Sequence, residues 1–96
     1  MIDYSITELN ISKRGLTQLP PDIDKYANLK KLICSNNKLT SLDNLPPTLT
    51  YLDCCNNQIT SLDNLPPTLE KLYCENNPLI YDFKPTLKNI RKYKKH

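Results

Sequence analysis

Glycine, histidine and methionine each occur once in these 96 residues, and tryptophan is absent. The single glycine, Gly15, excludes a glycine-rich phosphate loop, which needs several positions without a Cβ where the backbone closes on the anion. The single histidine is His96 at the very end, so no Cys–His or Ser–His pair can be argued and no imidazole is placed to activate a nucleophile. Apolar runs are too short to span a membrane. The N-terminus, MIDYSITELN, lacks the basic-then-apolar layout of a signal peptide. The expectation is a soluble, non-catalytic protein without a cofactor, in a reducing, cytoplasmic setting. Its length allows one domain at most.

What the chain has in abundance is itself. Residues 29–48, LKKLICSNNKLTSLDNLPPT, are followed without a gap by residues 49–68, LTYLDCCNNQITSLDNLPPT, with 14 of 20 positions identical. A third copy starts at Leu69 as LEKLYCENNPL and breaks off. Counting Leu29 as position one, the first copy places Leu32, Cys34, Asn37, Leu39, Leu42 and Leu45 at positions 4, 6, 9, 11, 14 and 17. The next copy places Leu49, Leu52, Cys54, Asn57, Ile59, Leu62 and Leu65 in the same frame, and the third Leu69, Leu72, Cys74, Asn77 and Leu79. Upstream, Ile6, Leu9, Ile11, Leu16 and Leu19 also fit. The units are therefore 6–28, 29–48, 49–68 and 69–83, followed by a cap over 84–96, in a single domain spanning 1–96.

A period near 20 residues carrying L-x-x-L-x-L-x-x-N signals a solenoid in which each unit buries its apolar edge on the next. Leu32 and Cys34 alternate with Lys31 and Ile33, which is strand periodicity. One short strand per unit gives a narrow parallel sheet whose inner side carries the Leu and Cys columns. Consecutive prolines in LPPTL forbid a helix and favour an extended, polyproline-like convex side. The longer first unit carries PPDIDKYAN, which suits a short helical turn opened by Pro21. Thr86 is the expected N-cap of a terminal helix with Leu87, Ile90 and Tyr93 at helical spacing, and Phe83 is expected to plug the same end. At the other end, Ile2, Tyr4 and Ile6 alternate as an extra edge strand would. An uncovered parallel edge would invite pairing with another chain.

The ninth-position asparagines have a structural task. The chain turns off the strand there, and an amide has both donors and an acceptor for the backbone groups left unpaired. Asn37, Asn57 and Asn77 are expected to form a buried ladder, with Arg14 replacing the amide in the first unit and facing solvent. Cys34, Cys54 and Cys74 recur in phase with the core, which is no disulfide framework, and three thiols in a line lack the fourth ligand of a zinc tetrahedron. They read as small apolar filler, with no metal. Cys55 is out of phase at the strand's end and is expected to be the one fast-reacting thiol.

The phrase LxxLxCxxNxLTSLDNLPPT resembles the leucine-rich-repeat family over residues 6–93. The 20-residue LPP period is similar to the short bacterial type found in secreted effectors. The strand cysteine and the PTLKNIRKY ending look more like repeat proteins of amoeba-infecting giant DNA viruses and protists. That resemblance implies an α/β solenoid for protein recognition, and a host-cell cytoplasm or virion as the setting. The catalytic ubiquitin-ligase domain that follows the repeats in the bacterial effectors does not carry over, since the chain has no length for it.

Function is expected where the copies differ. Position 3 carries Glu8, Lys31, Tyr51 and Lys71; position 5 carries Asn10, Ile33, Asp53 and Tyr73; position 7 carries Ser12, Ser35, Cys55 and Glu75. Tyrosines and an isoleucine among charges match the composition of interface anchors, which makes Lys31, Ile33, Tyr51, Asp53, Lys71 and Tyr73 the candidate residues for an unknown protein partner. Two rival readings remain. One is a structural or self-associating component, a monomer or weak homodimer joining through the N-terminal edge. The other lies in the charge distribution: residues 1–83 hold seven Lys/Arg against ten Asp/Glu, or −3, whereas residues 84–96 hold six Lys/Arg and no acid, or +6. Such a basic end can contact nucleic acid or an anionic surface, or can merely complement a helix dipole. Of these, the concave-face protein partner is favoured, without nucleic acid or membrane.

Overall fold

In a computed structural model, described over residues 2–93, the chain forms four strands, a 3-10 turn and one helix. Met1, Lys94, Lys95 and His96, the last three belonging to the expected basic end, lie outside the described residues. Strands β1 (Glu8–Asn10), β2 (Lys31–Ile33), β3 (Tyr51–Asp53) and β4 (Lys71–Tyr73) make one parallel sheet in chain order. Leu9 pairs with Leu32, Leu32 with Leu52, and Leu52 with Leu72. Sheet register thus follows sequence register, with the longer first unit absorbed outside the strands. The molecule measures 43 × 26 × 18 Å.

Each strand turns its central leucine inward. Leu32 and Leu52 are fully buried, together with Leu29, Leu49, Cys34, Cys54, Leu39 and Ile59. The convex return has no helix but is not fully extended: it bends at Asn44 (φ 61°) and turns at Asp63 and Asn64 before the LPPT prolines, and Pro46 is itself among the fully buried side chains. Leu45 and Leu65 are only half-buried, so proline supplies that part of the core. The second proline opens a β-turn: the Leu49 N–H donates to Pro46 O at 3.2 Å and the Leu69 N–H to Pro66 O at 3.1 Å. Proline's fixed φ suits the second position of such a turn. In the first unit the turn at Pro21 runs on into a 3-10 turn over Ile23–Lys25, with Ile23 buried.

The chain leaves each strand through a residue in the left-handed region: Lys13 (φ 57°), Asn36 (57°), Asn56 (59°) and Asn76 (61°). Asparagine tolerates that conformation better than most residues with a Cβ. The Asn-Asn pairs thus divide their work, the first turning the backbone and the second supplying an amide. Asn37 Nδ2 donates to Ile11 O (3.1 Å) and Cys34 O (3.0 Å), while its Oδ1 accepts from the Arg14 and Leu16 N–H groups. Asn57 Nδ2 donates to Cys34 O (3.1 Å) and Cys54 O (3.0 Å), and Oδ1 accepts from the Leu39 N–H. Asn77 repeats the pattern with Cys54 O, Cys74 O and the Ile59 N–H. Asn37 and Asn57 are buried, but Asn77 is only half-buried because no further unit covers it. Arg14 is exposed.

A second ladder runs along the start of the strands. Thr48 Oγ1 donates to Leu29 O at 2.7 Å, and Thr68 Oγ1 to Leu49 O (2.7 Å) and Pro47 O (2.9 Å).

The C-terminal end forms the expected capped helix, and the N-terminal end differs from expectation. Helix α1 (Leu87–Tyr93) is N-capped by Thr86, whose Oγ1 accepts the Asn89 N–H at 3.1 Å. Ile90, 2% exposed, is its buried plug, and Phe83 packs half-buried against the same core. Phe83 is half-buried in an aromatic cluster, 4.9 Å from Tyr81 and 5.5 Å from Tyr93, and Tyr93 remains 43% exposed. At the N-terminus no strand forms over Ile2–Ile6; Tyr4 and Ser5 lie in a turn and β1 is the edge strand. Tyr4 is drawn to the convex side, where its ring stands edge-on to Tyr26 at 5.0 Å and its hydroxyl donates to Asp22 Oδ2. That aromatic pair and charge-assisted bond outweigh strand extension for so short a segment.

Candidate binding face

Positions 3 and 5 of every strand point away from the core and form the concave face. Parallel registration sets Glu8, Lys31, Tyr51 and Lys71 side by side, and likewise Asn10, Ile33, Asp53 and Tyr73. The six candidate residues therefore lie on one continuous surface. They are not uniformly open. Lys31, Ile33, Tyr51 and Asp53 are half-buried, whereas Lys71 and Tyr73 are exposed, Tyr73 by 40%. The central two strands have neighbours on both sides, and those neighbours' side chains cover them.

Three of the six make a compact group. Lys31 Nζ lies 4.6 Å from the centroid of the Tyr51 ring, and the Tyr51 and Tyr73 rings are 5.4 Å apart with a 45° tilt. A cation over an aromatic face and a tilted ring pair are each mildly attractive, so the three side chains hold one another in place. Lys71 is the registered neighbour of Tyr51 on the far side. Asp53 is partly committed to the scaffold, because its Oδ1 accepts the Cys55 N–H at 3.1 Å. Asn10 does the same for Ser12 one edge away, at 3.0 Å.

The face changes character at the strand ends. Cys55 Sγ donates to Glu75 Oε2 at 2.8 Å. Loss of water contact, then the nearby Glu75 and Asp53 carboxylates, push the Cys55 thiol up to about 12, and the same bond holds the Glu75 carboxyl below the ordinary range. The out-of-phase cysteine is half-buried beside acceptors that favour S–H, whereas the three in-phase cysteines are buried. Burial raises all three in-phase thiols, with Cys34 reaching about 12. All four cysteines are free. Among the described residues no group of three His, Cys, Asp or Glu side chains could hold a metal ion, and no helix is long and apolar enough to cross a membrane.

Within the basic end, Lys84, Lys88 and Lys92 are exposed, whereas Arg91 is engaged by the scaffold. Arg91 Nη2 donates to Leu69 O at 2.6 Å and Pro67 O at 3.1 Å. These are the counterparts, one unit on, of the carbonyls that Thr68 binds, so Arg91 completes the threonine ladder. Tyr81 acts alike: its hydroxyl accepts the Leu62 N–H and donates to Asp63 Oδ1, both at 2.7 Å. Burial first, then Asp63, raises the Tyr81 phenol to about 12. Neither role was evident in the sequence, although the recurrence of Thr at position 20 was a signal for the ladder that Arg91 closes.

A family model described as leucine rich repeats (2 copies) matches residues 47–89. No curated protein and no solved structure matches the chain.

Proposed function

We propose that this chain, a leucine-rich-repeat protein, binds a protein partner on its concave sheet through Lys31, Ile33, Tyr51, Asp53, Lys71 and Tyr73 and carries out no catalysis. Leucine-rich-repeat domains are generally protein-interaction modules and typically non-catalytic. The observation that carries the reading is the Lys31–Tyr51–Tyr73 group, three packed residues at positions where the units differ, on a scaffold that otherwise repeats almost letter for letter. Tyrosine anchors surrounded by satisfied polar groups are what interface hot spots are made of. The proposal includes a reducing, intracellular setting, supported by three buried free thiols in phase with the core.

The test is capture of a partner from lysate of the source organism, followed by titration against the purified chain. Tyr51→Ala combined with Tyr73→Ala should weaken binding by at least about 30-fold, corresponding to the roughly 2 kcal/mol of a hot spot, while the melting temperature stays put. Retained affinity in the double variant would move the site off this face.

A further inference from the structure

Among the described residues, the β1 edge of the sheet has no neighbouring strand. The Ile11 N–H donates to Ile33 O at 2.8 Å, the Lys13 N–H to Ser35 O at 3.2 Å, and Thr7 O accepts from the Lys30 and Lys31 N–H groups. Those groups face β2. Strand alternation therefore turns the N–H and C=O of Glu8 and Asn10 outward, and among the described residues no backbone group bonds to them. The core is also open there. Ile6, Leu9 and Leu16 are half-buried, whereas Leu29, Leu32 and Leu39, one unit on, are 0% exposed; Ile2 nearby is 54% exposed. β1 is short and its one charged side chain is Glu8, with no lysine, proline or bulge within it.

We infer that β1 pairs antiparallel with β1 of a second copy of this chain, about a two-fold axis through Leu9. In that register Glu8 of each copy lies opposite Asn10 of the other, and the two residues exchange both backbone bonds. The two symmetric pairs give four new N–H···O bonds, with Leu9 against Leu9 on the core side. The side chains match as well. Asn10 Oδ1 is already engaged by the Ser12 N–H (3.0 Å) and hydroxyl (2.7 Å), which leaves Nδ2 as the group that meets the opposing Glu8 carboxylate. Other registers are worse. Centring on Glu8 sets two carboxylates face to face. Centring on Asn10 sets Glu8 opposite Ser12, whose N–H is already used. The axis stands perpendicular to the sheet, so both concave faces end on the same side of one eight-stranded sheet. This inference does not depend on the concave-face reading.

Light scattering on the reduced full chain, from about 10 μM to about 1 mM, tests it across the range where a small interface associates. The mass should rise from one chain to two. Asn10→Asp keeps the Ser12 cap, as Asp53 shows by capping the Cys55 N–H at 3.1 Å. It also sets carboxylate against carboxylate twice, so the dissociation constant should rise roughly tenfold, and Glu8→Lys added to it should restore the dimer. Tyr51→Ala with Tyr73→Ala should leave the dimer unchanged. A single-chain mass throughout, or a dimer indifferent to Asn10→Asp, overturns the inference; failure of Glu8→Lys to restore it overturns the Leu9-centred register.

Discussion

Replacing Asn57 by alanine removes an amide that serves two units at once, and the cost can be worked bond by bond. Cys34 O accepts from both Asn37 and Asn57, and Cys54 O from both Asn57 and Asn77, so each carbonyl keeps one donor in the variant. Cys55 O keeps the Asn36 N–H at 3.0 Å. The Leu39 N–H is different. Its acceptor is Asn57 Oδ1, at 3.0 Å, and Leu39 is 0% exposed, so no water replaces it. A stranded buried donor costs about 1–3 kcal/mol, and the void left by the amide adds about 1 kcal/mol. A loss of about 3 kcal/mol lowers the melting temperature of a domain this size by roughly 12–24 °C. Asn77→Ala strands the Ile59 N–H in the same way, but Asn77 is half-exposed, so its loss should be smaller. Asn57→Asp sharpens the test. It keeps the acceptor but aims an anion at three carbonyl oxygens, so at pH 7 it should be worse than alanine. Its carboxyl is held above the ordinary range in the folded state, so stability returns as pH falls and the group protonates. Thermal melts at pH 7 and pH 4 with amide exchange at Leu39 read all of this. An Asn57→Ala melt within about 2 °C of the unaltered chain would refute the ladder's energetic role.

Two other perturbations follow. Thiol labelling at neutral pH should be slow at all four cysteines and immediate after denaturation; the native rate should keep climbing through pH 9 toward 12 without a plateau, because a raised thiol pKa postpones the thiolate. Glu75→Gln should speed labelling of Cys55 alone by removing a carboxylate, and an unchanged rate would show that the Cys55–Glu75 bond does not restrain the thiol. Arg91→Ala should lower stability by about 1–3 kcal/mol in urea unfolding, since Leu69 O and Pro67 O lose a charged donor, and Arg91→Lys should recover only part because one ammonium lacks the planar fork.

The parts of this fold legible in the sequence were those that recur. Leucine spacing, the amide at position 9 and the cysteine column each appear three times in phase, and repetition separates a structural demand from chance. The 3-10 turn was legible because Pro21 and a length excess marked it. What escaped notice was solitary. Tyr81 and Arg91 occur once each, at positions with no copy to compare, and their work depends on which carbonyls and amides the preceding unit leaves open. The candidate face was legible as variation between copies, but not its packing. That Lys31 lies over Tyr51 depends on neighbouring strands, and that Cys55 is subdued depends on Glu75, twenty residues away along the chain and one strand away in space.

The two ends of the array now stand in contrast. At the C-terminal end the cap stands in for a next unit at several backbone groups: Tyr81 meets the Leu62 N–H and Asp63, Arg91 takes the carbonyls one unit on from those Thr68 binds, and Ile90 is buried in the core. At the N-terminal end Tyr4 and Tyr26 pack on the convex side, and among the described residues no backbone group bonds to the outward N–H and C=O of Glu8 and Asn10. The proposed pairing of β1 with its own copy draws on a carboxylate and an oriented amide two residues apart, Glu8 and Asn10. Such a join would double the concave surface without adding a unit, giving a partner two Lys31–Tyr51–Tyr73 groups on one platform and raising effective concentration for any partner that itself repeats.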